Sequence, residues 1–109
     1  MAGHQFGIME RRPAPGERYD TYEPEKIRLI RVDDRWIEPL MPALGAVPCF
    51  CHTLDIPCPG LVYAGITLIP PSSMERMLES LGDTPAFEEL RALLLRAKRE
   101  GKFVIHYGL

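Results

Sequence analysis

Cys49, Cys51, His52 and Cys58 fall within ten residues of one another. Thiolate and imidazole are the ligands zinc prefers, and a structural zinc site takes four of them in a tetrahedron. The spacing opposes that use. On a strand, Cys49 and Cys51 project to one face and His52 to the other. The two-residue gaps usual within zinc ligand pairs are also missing. Free cysteines often serve as small core fillers, and that is the expectation here, with no metal and no cofactor. Cys58 sits between Pro57 and Pro59 in what reads as a turn. Activating a thiol takes a nearby cation, a base or a helix N-terminus, and the nearest charge, Asp55, has the wrong sign.

His52 and His106 invite general acid–base chemistry, because imidazole titrates near neutrality. Placed on opposite edges of a four-stranded sheet, they stand three spacings of ~4.8 Å apart, roughly 14 Å. That is too far for one site within a monomer. His4 is free in sequence to approach either of them. Tyr19 and Tyr22, in the segment RYDTYEPE, combine rigid aromatic rings with acids and suit recognition. Asp33 and Asp34 are adjacent, and helix capping accounts for one of them.

No phosphate-cradling glycine loop, dinucleotide fingerprint, nucleophile elbow or HExxH helix is present. The net charge of −2 lowers the expectation of nucleic-acid binding, which usually rests on a basic patch. No run reaches the ~20 apolar residues of a membrane span. The N-terminal residues lack the basic-then-apolar order of an export signal. Three cysteines without such a signal suggest free thiols in a reducing cytoplasm.

These side chains need a scaffold, and 109 residues suggest one domain. Residues 1–25 carry Pro13, Pro15 and Pro24 with Gly3, Gly7 and Gly16, which discourage long helices and central strands. They hold three arginines against five acids, and so the whole net charge. Scattered Phe6, Ile8, Met9, Tyr19 and Tyr22 predict an irregular arm docked on a domain of residues 26–109. KIRLIRV (26–32) reads as a strand. Ile37, Leu40, Met41 and Leu44 share a helical face, which Pro39 and Pro42 kink.

The stretch from Val47 to Pro71 reads as a hairpin: strand 49–54, turn DIPCPG, strand 61–69. In the second strand Val62, Ala64, Ile66 and Leu68 are expected against helices, with Tyr63, Gly65 and Thr67 on the opposite face. Ser72 with Glu75 resembles a capping box before a helix buried through Met74, Met77, Leu78 and Leu81. Phe87, Leu90, Leu94 and Ala97 line a further helix, and FVIHY (103–107) is a final strand.

The order β-α-β-β-α-α-β predicts an α+β fold, a ferredoxin-like two-layer sandwich with a four-stranded antiparallel sheet. In that arrangement the last strand lies beside the first, and the helices cover one face. The bare face would carry the function, through Tyr19, Tyr22, His52, Tyr63, Thr67 and His106. The first expectation is a non-enzymatic interaction domain, homodimeric through that face or the arm. A ligand pocket or small enzyme site between face and arm is the second. A zinc-binding domain through the cysteine cluster is the third.

Overall fold

The computed structural model describes residues 3–108. Six strands form one antiparallel sheet: β1 (Gly3–Ile8), β2 (Ile30–Asp33), β3 (Pro48–Cys51), β4 (Pro57–Pro59), β5 (Ile66–Ile69) and β6 (Val104–Tyr107). Their order across the sheet is β2-β1-β6-β5-β3-β4. Three helical segments accompany it. The first is broken into α1 (Asp34–Ile37), a 3-10 turn and α2 (Met41–Leu44); the others are α3 (Met74–Leu81) and α4 (Glu88–Glu100). Pro39 and Pro42 sit at the breaks of the first segment, where each lacks an amide donor.

The expected four-stranded, ferredoxin-like sandwich is therefore wrong. The extra strands come from segments rich in glycine and proline. β1 lies in the middle of the sheet, between β2 and β6, so the start of the chain is not an irregular arm. Gly3 and Gly7 are no breakers there. A Cβ on Gly3 would meet the Arg31 guanidinium, and one on Gly7 the Ile27 and Leu29 side chains. Glycine lets those groups lie flat on the strand.

β4 reads PCP, a poor strand by composition, yet its register explains it. Cys51 N–H donates to Ile56 O at 2.9 Å and Gly60 N–H to Val47 O at 2.8 Å. Antiparallel pairs alternate between bonded and non-bonded, so Cys49 and Cys58 form the bonded pair between them. Pro57 and Pro59 then point their missing donors outward, at the sheet edge, where proline costs no ladder bond.

The second hairpin strand also differs from expectation. β5 begins only at Ile66, and the facing is inverted. Ile66 and Leu68 lie in the cluster with Met9, Phe103, Ile105 and Tyr107, away from the helices. Ile69 joins Phe6, Val104 and the helical residues Met74, Met77, Leu90 and Leu94. The helices thus cover one face. Tyr19, Ile27, Leu29, Phe50 and Leu54 pack on the other.

Caps are partly as expected. Asp33 accepts from Arg35 N–H and starts α1. The capping box is not used: a 3-10 turn, Pro71–Ser73, precedes α3, and Ser73 Oγ donates instead to Pro48 O at 2.5 Å. α4 ends at Gly101 in the left-handed conformation, the usual helix stop.

Candidate functional site: a cleft on the helix-free face

A cleft of about 650 Å³ opens on the helix-free face. Gly3, Gln5, Ile66, Tyr107 and Gly108 lie along it from the central strands, and Asp20 and Tyr22 from the segment after β1. Arg31, His52 and Gly65 also line it. The half-exposed Tyr22 ring meets Tyr107 edge-on, with centroids 4.9 Å apart. That is the preferred aromatic geometry, and it holds the segment in place.

His52 ties this segment to the sheet. Its N–H donates to Ile66 O at 3.1 Å, and its carbonyl accepts Tyr19 N–H at 2.8 Å. Its backbone has φ +64°, the one non-glycine positive φ among the described residues. Histidine is among the few side chains enriched there. The ring Nδ1 lies 3.0 Å from Tyr19 O and 3.1 Å from Asp20 Oδ1. Arg18, bidentate on Asp20 at 2.9 and 3.2 Å, holds that carboxyl below its ordinary range, and His52 adds to the effect.

A second polar group lies on the helix side, with its histidines wholly buried. Asp34 Oδ1 is 2.8 Å from His4 Nε2, and His4 Nδ1 is 2.9 Å from His106 Nε2. His106 Nδ1 is 3.1 Å from Thr67 Oγ1, which accepts Val62 N–H at 2.7 Å. His4, Thr67 and His106 are completely buried. Burial, then the neighbouring His4, pushes His106 down to about 3, so it is neutral. His4 Nε2–H donates to the Asp34 carboxylate, one proton lies between His4 Nδ1 and His106 Nε2, and another between His106 Nδ1 and Thr67 Oγ1. Tyr63 O–H donates to Asp34 Oδ2 at 2.5 Å. Bonds from Tyr63 and His4 hold the Asp34 carboxyl down, and Asp34 pushes Tyr63 up to about 12.

The six residues singled out from the sequence therefore separate. His52 and Tyr22 line the cleft, and Tyr19 flanks it, its hydroxyl donating to Glu17 Oε1 at 2.8 Å. Thr67, His106 and Tyr63 belong to the polar chain on the opposite face. His52 and His106 are kept apart by the sheet itself. They are not on opposite edges: His52 follows directly on β3, and β5 alone lies between β3 and β6. Gln5 does not stand out in the sequence; His4, Asp20 and Asp34 do, with His4 free to approach His52 or His106, and its ring lies against His106. His4 alternates with Phe6 and Ile8, a signal for β1 hidden by the flanking glycines.

Cys49 is buried in the main core, and burial pushes its thiol up to about 12. Cys51 and Cys58 are half-buried, and all three are free thiols. Among the described residues no group of three or more His, Cys, Asp or Glu side chains is placed to hold a metal ion. No helix among them is long and apolar enough to cross a membrane. Comparison with known proteins gives no name to the site: no family model, no curated protein and no solved structure matches the chain.

Proposed function

We propose that this chain is a small-molecule-binding domain whose ligand lies in the cleft between the helix-free face and the segment after β1. The observation that carries the reading is the cleft's construction. Its volume, about 650 Å³, falls in the range that ligand pockets occupy. Gly3, Gly65 and Gly108 lie half-buried along it, and Gln5, Asp20, Arg31 and His52 supply polar groups to its lining. Sparse, convergent polar groups around a preformed hollow are what orient a small ligand.

Self-association through the same face is the weaker reading. Tyr19, Ile27, Leu29, Phe50 and Leu54 already pack on its apolar cluster, so less apolar surface is left for a second copy.

The test is an amide-resolved NMR titration of the full chain with a panel of small polar aromatic compounds. Binding is expected to move the amides of Gln5, Ala64, Gly65 and Gly108 together, and Tyr22→Ala is expected to weaken it. A panel that leaves those amides unmoved counts against the reading. Removing the N-terminal residues is no substitute, because β1 is a central strand.

A further inference from the structure

The cleft contains one histidine among its described lining residues, and three features of His52 set it apart from a simple anchor. The first is its tautomer. Nδ1 faces two acceptors, Tyr19 O and Asp20 Oδ1, at 3.0 and 3.1 Å. A neutral ring must therefore carry its proton on Nδ1 and keep the lone pair on Nε2. The second is access. Nε2 accepts one long bond, from Ile66 N–H at 3.5 Å, weak by its length and open to displacement by water. Gly65 stands beside the ring, and a Cβ there would lie 3.1 Å from Nε2. A side chain at Gly65 would crowd both Val62 and that nitrogen. The third is the backbone, held at φ +64°, a conformation that costs a side-chain-bearing residue roughly 1–2 kcal/mol. Strain of this kind gathers at functional sites.

We propose that His52 is a general base, oriented by Asp20, that activates water in the cleft for hydrolysis of a small carboxylic ester. The inference rests on the reading of the cleft as a ligand site. Asp20 is the positioning residue: its carboxylate fixes the Nδ1 proton and stabilises the imidazolium that forms at Nε2, the role a carboxylate has behind any catalytic imidazole. No Ser, Thr or Cys is among the described residues lining the cleft, so the nucleophile is water rather than a side chain. Nε2 takes a proton from water as the oxygen bonds to the ester carbonyl carbon. The tetrahedral adduct then breaks its bond to the leaving oxygen, which receives the proton back from Nε2. Ester and water become acid and alcohol, with the histidine restored and no further reactant consumed.

The probes are p-nitrophenyl acetate, for turnover, and diethylpyrocarbonate, for the basicity of each imidazole. Peptide mapping is expected to show His52 acylated faster than free N-acetylhistidine, while the fully buried His4 and His106 stay unmodified. Hydrolysis is expected to rise with pH in step with His52 deprotonation followed by NMR. His52→Asn keeps a residue that tolerates the left-handed backbone and is expected to lower turnover roughly a hundredfold, the lower end of what a general base supplies. Asp20→Asn is expected to lower kcat with KM little changed, a split that a merely structural Asp20 would not produce.

Turnover no faster than free imidazole at equal concentration overturns the inference, as does turnover unaffected by His52→Asn. If that variant does not fold, acylation of the unmodified chain decides: a His52 no faster than N-acetylhistidine is not an activated base. An inert His52 in a cleft that still binds compounds leaves the ligand-site reading intact. A cleft that binds nothing removes both.

Discussion

His4 and His106, 102 positions apart in the chain, bring their ring nitrogens to 2.9 Å with the rings nearly parallel. The contact joins β1 to β6 on the helix side of the sheet, and Asp34 and Thr67 close its two ends. A buried polar chain of this kind stabilises only when every member is satisfied. No described buried side-chain nitrogen or oxygen lacks a partner. His106 is neutral in this arrangement, and a proton added to it turns its second ring nitrogen from acceptor to donor.

Acid should therefore weaken the fold well above the carboxylate range. His106 stands at about 3 in the folded chain against about 6.5 unfolded. The unfolded state binds the extra proton between those values, so stability is full above about pH 6.5 and falls as pH drops. The slope from this group is on the order of 1.4 kcal/mol per pH unit. Asp34, also depressed on folding, adds a further loss only below its unfolded value of about 3.9. Urea unfolding at several pH values checks this. A flat midpoint from about pH 7 to about pH 5 is incompatible with a neutral buried His106.

Thr67→Val keeps the shape of the side chain and removes its hydroxyl. His106 Nδ1 loses its partner and Val62 N–H its acceptor, which now stand at 3.1 and 2.7 Å. An unsatisfied buried group costs about 1–3 kcal/mol; His106 is fully buried and Val62 half-buried, so the variant should lose at least about 1–3 kcal/mol in denaturant unfolding. Thr67→Ser retains the hydroxyl and should lose far less. Equal losses for the two variants would mean that packing, and not the polar chain, sets the cost.

The proline-bearing edge yields a different outcome. Pro57 and Pro59 occupy the outward positions of β4, where their missing amides break no bond of the ladder. Proline on an edge strand blocks pairing with another chain. Pro59→Thr should change unfolding free energy little, within about 0.5 kcal/mol as for other surface changes. It should nevertheless raise self-association on storage, followed by light scattering. A variant that stays as monodisperse as the parent would show that the edge is protected by something else.

How legible these features are in the sequence depends on whether their cause is local. α3 and α4 follow from their apolar spacing and from the glycines that end them, Gly82 and Gly101. The strand at 104–107 and the kinked segment at 34–44 also follow from pattern and proline position. β1 and β4 do not, because Gly3, Gly7, Pro57 and Pro59 are tolerated only through what lies over or beside them in the sheet. The inverted facing of Ile66 and Leu68 has the same origin. The residues packing on the helix-free face make that side as apolar as the helix side, so alternation alone does not choose between them. His4 and His106 become neighbours only once β1 is in place. The cleft is visible through Tyr22 and His52, but its Asp20–His52 pairing depends on a turn at His52 that no local signal marks.

That turn supports a final prediction on stability. His52 holds φ +64°, where glycine is at ease and a β-branched residue is strongly disfavoured. His52→Gly relieves the backbone and loses the ring contacts to Tyr19 O and Asp20, so its stability should stay close to that of the parent. His52→Val keeps bulk while losing the same contacts, and it should be less stable than the glycine variant by at least about 1–2 kcal/mol. Thermal unfolding of the pair isolates the backbone cost, since both lack the imidazole. Equal stability of the two variants would show that the loop relaxes, and the strain would then have no part in holding Nε2 over the cleft.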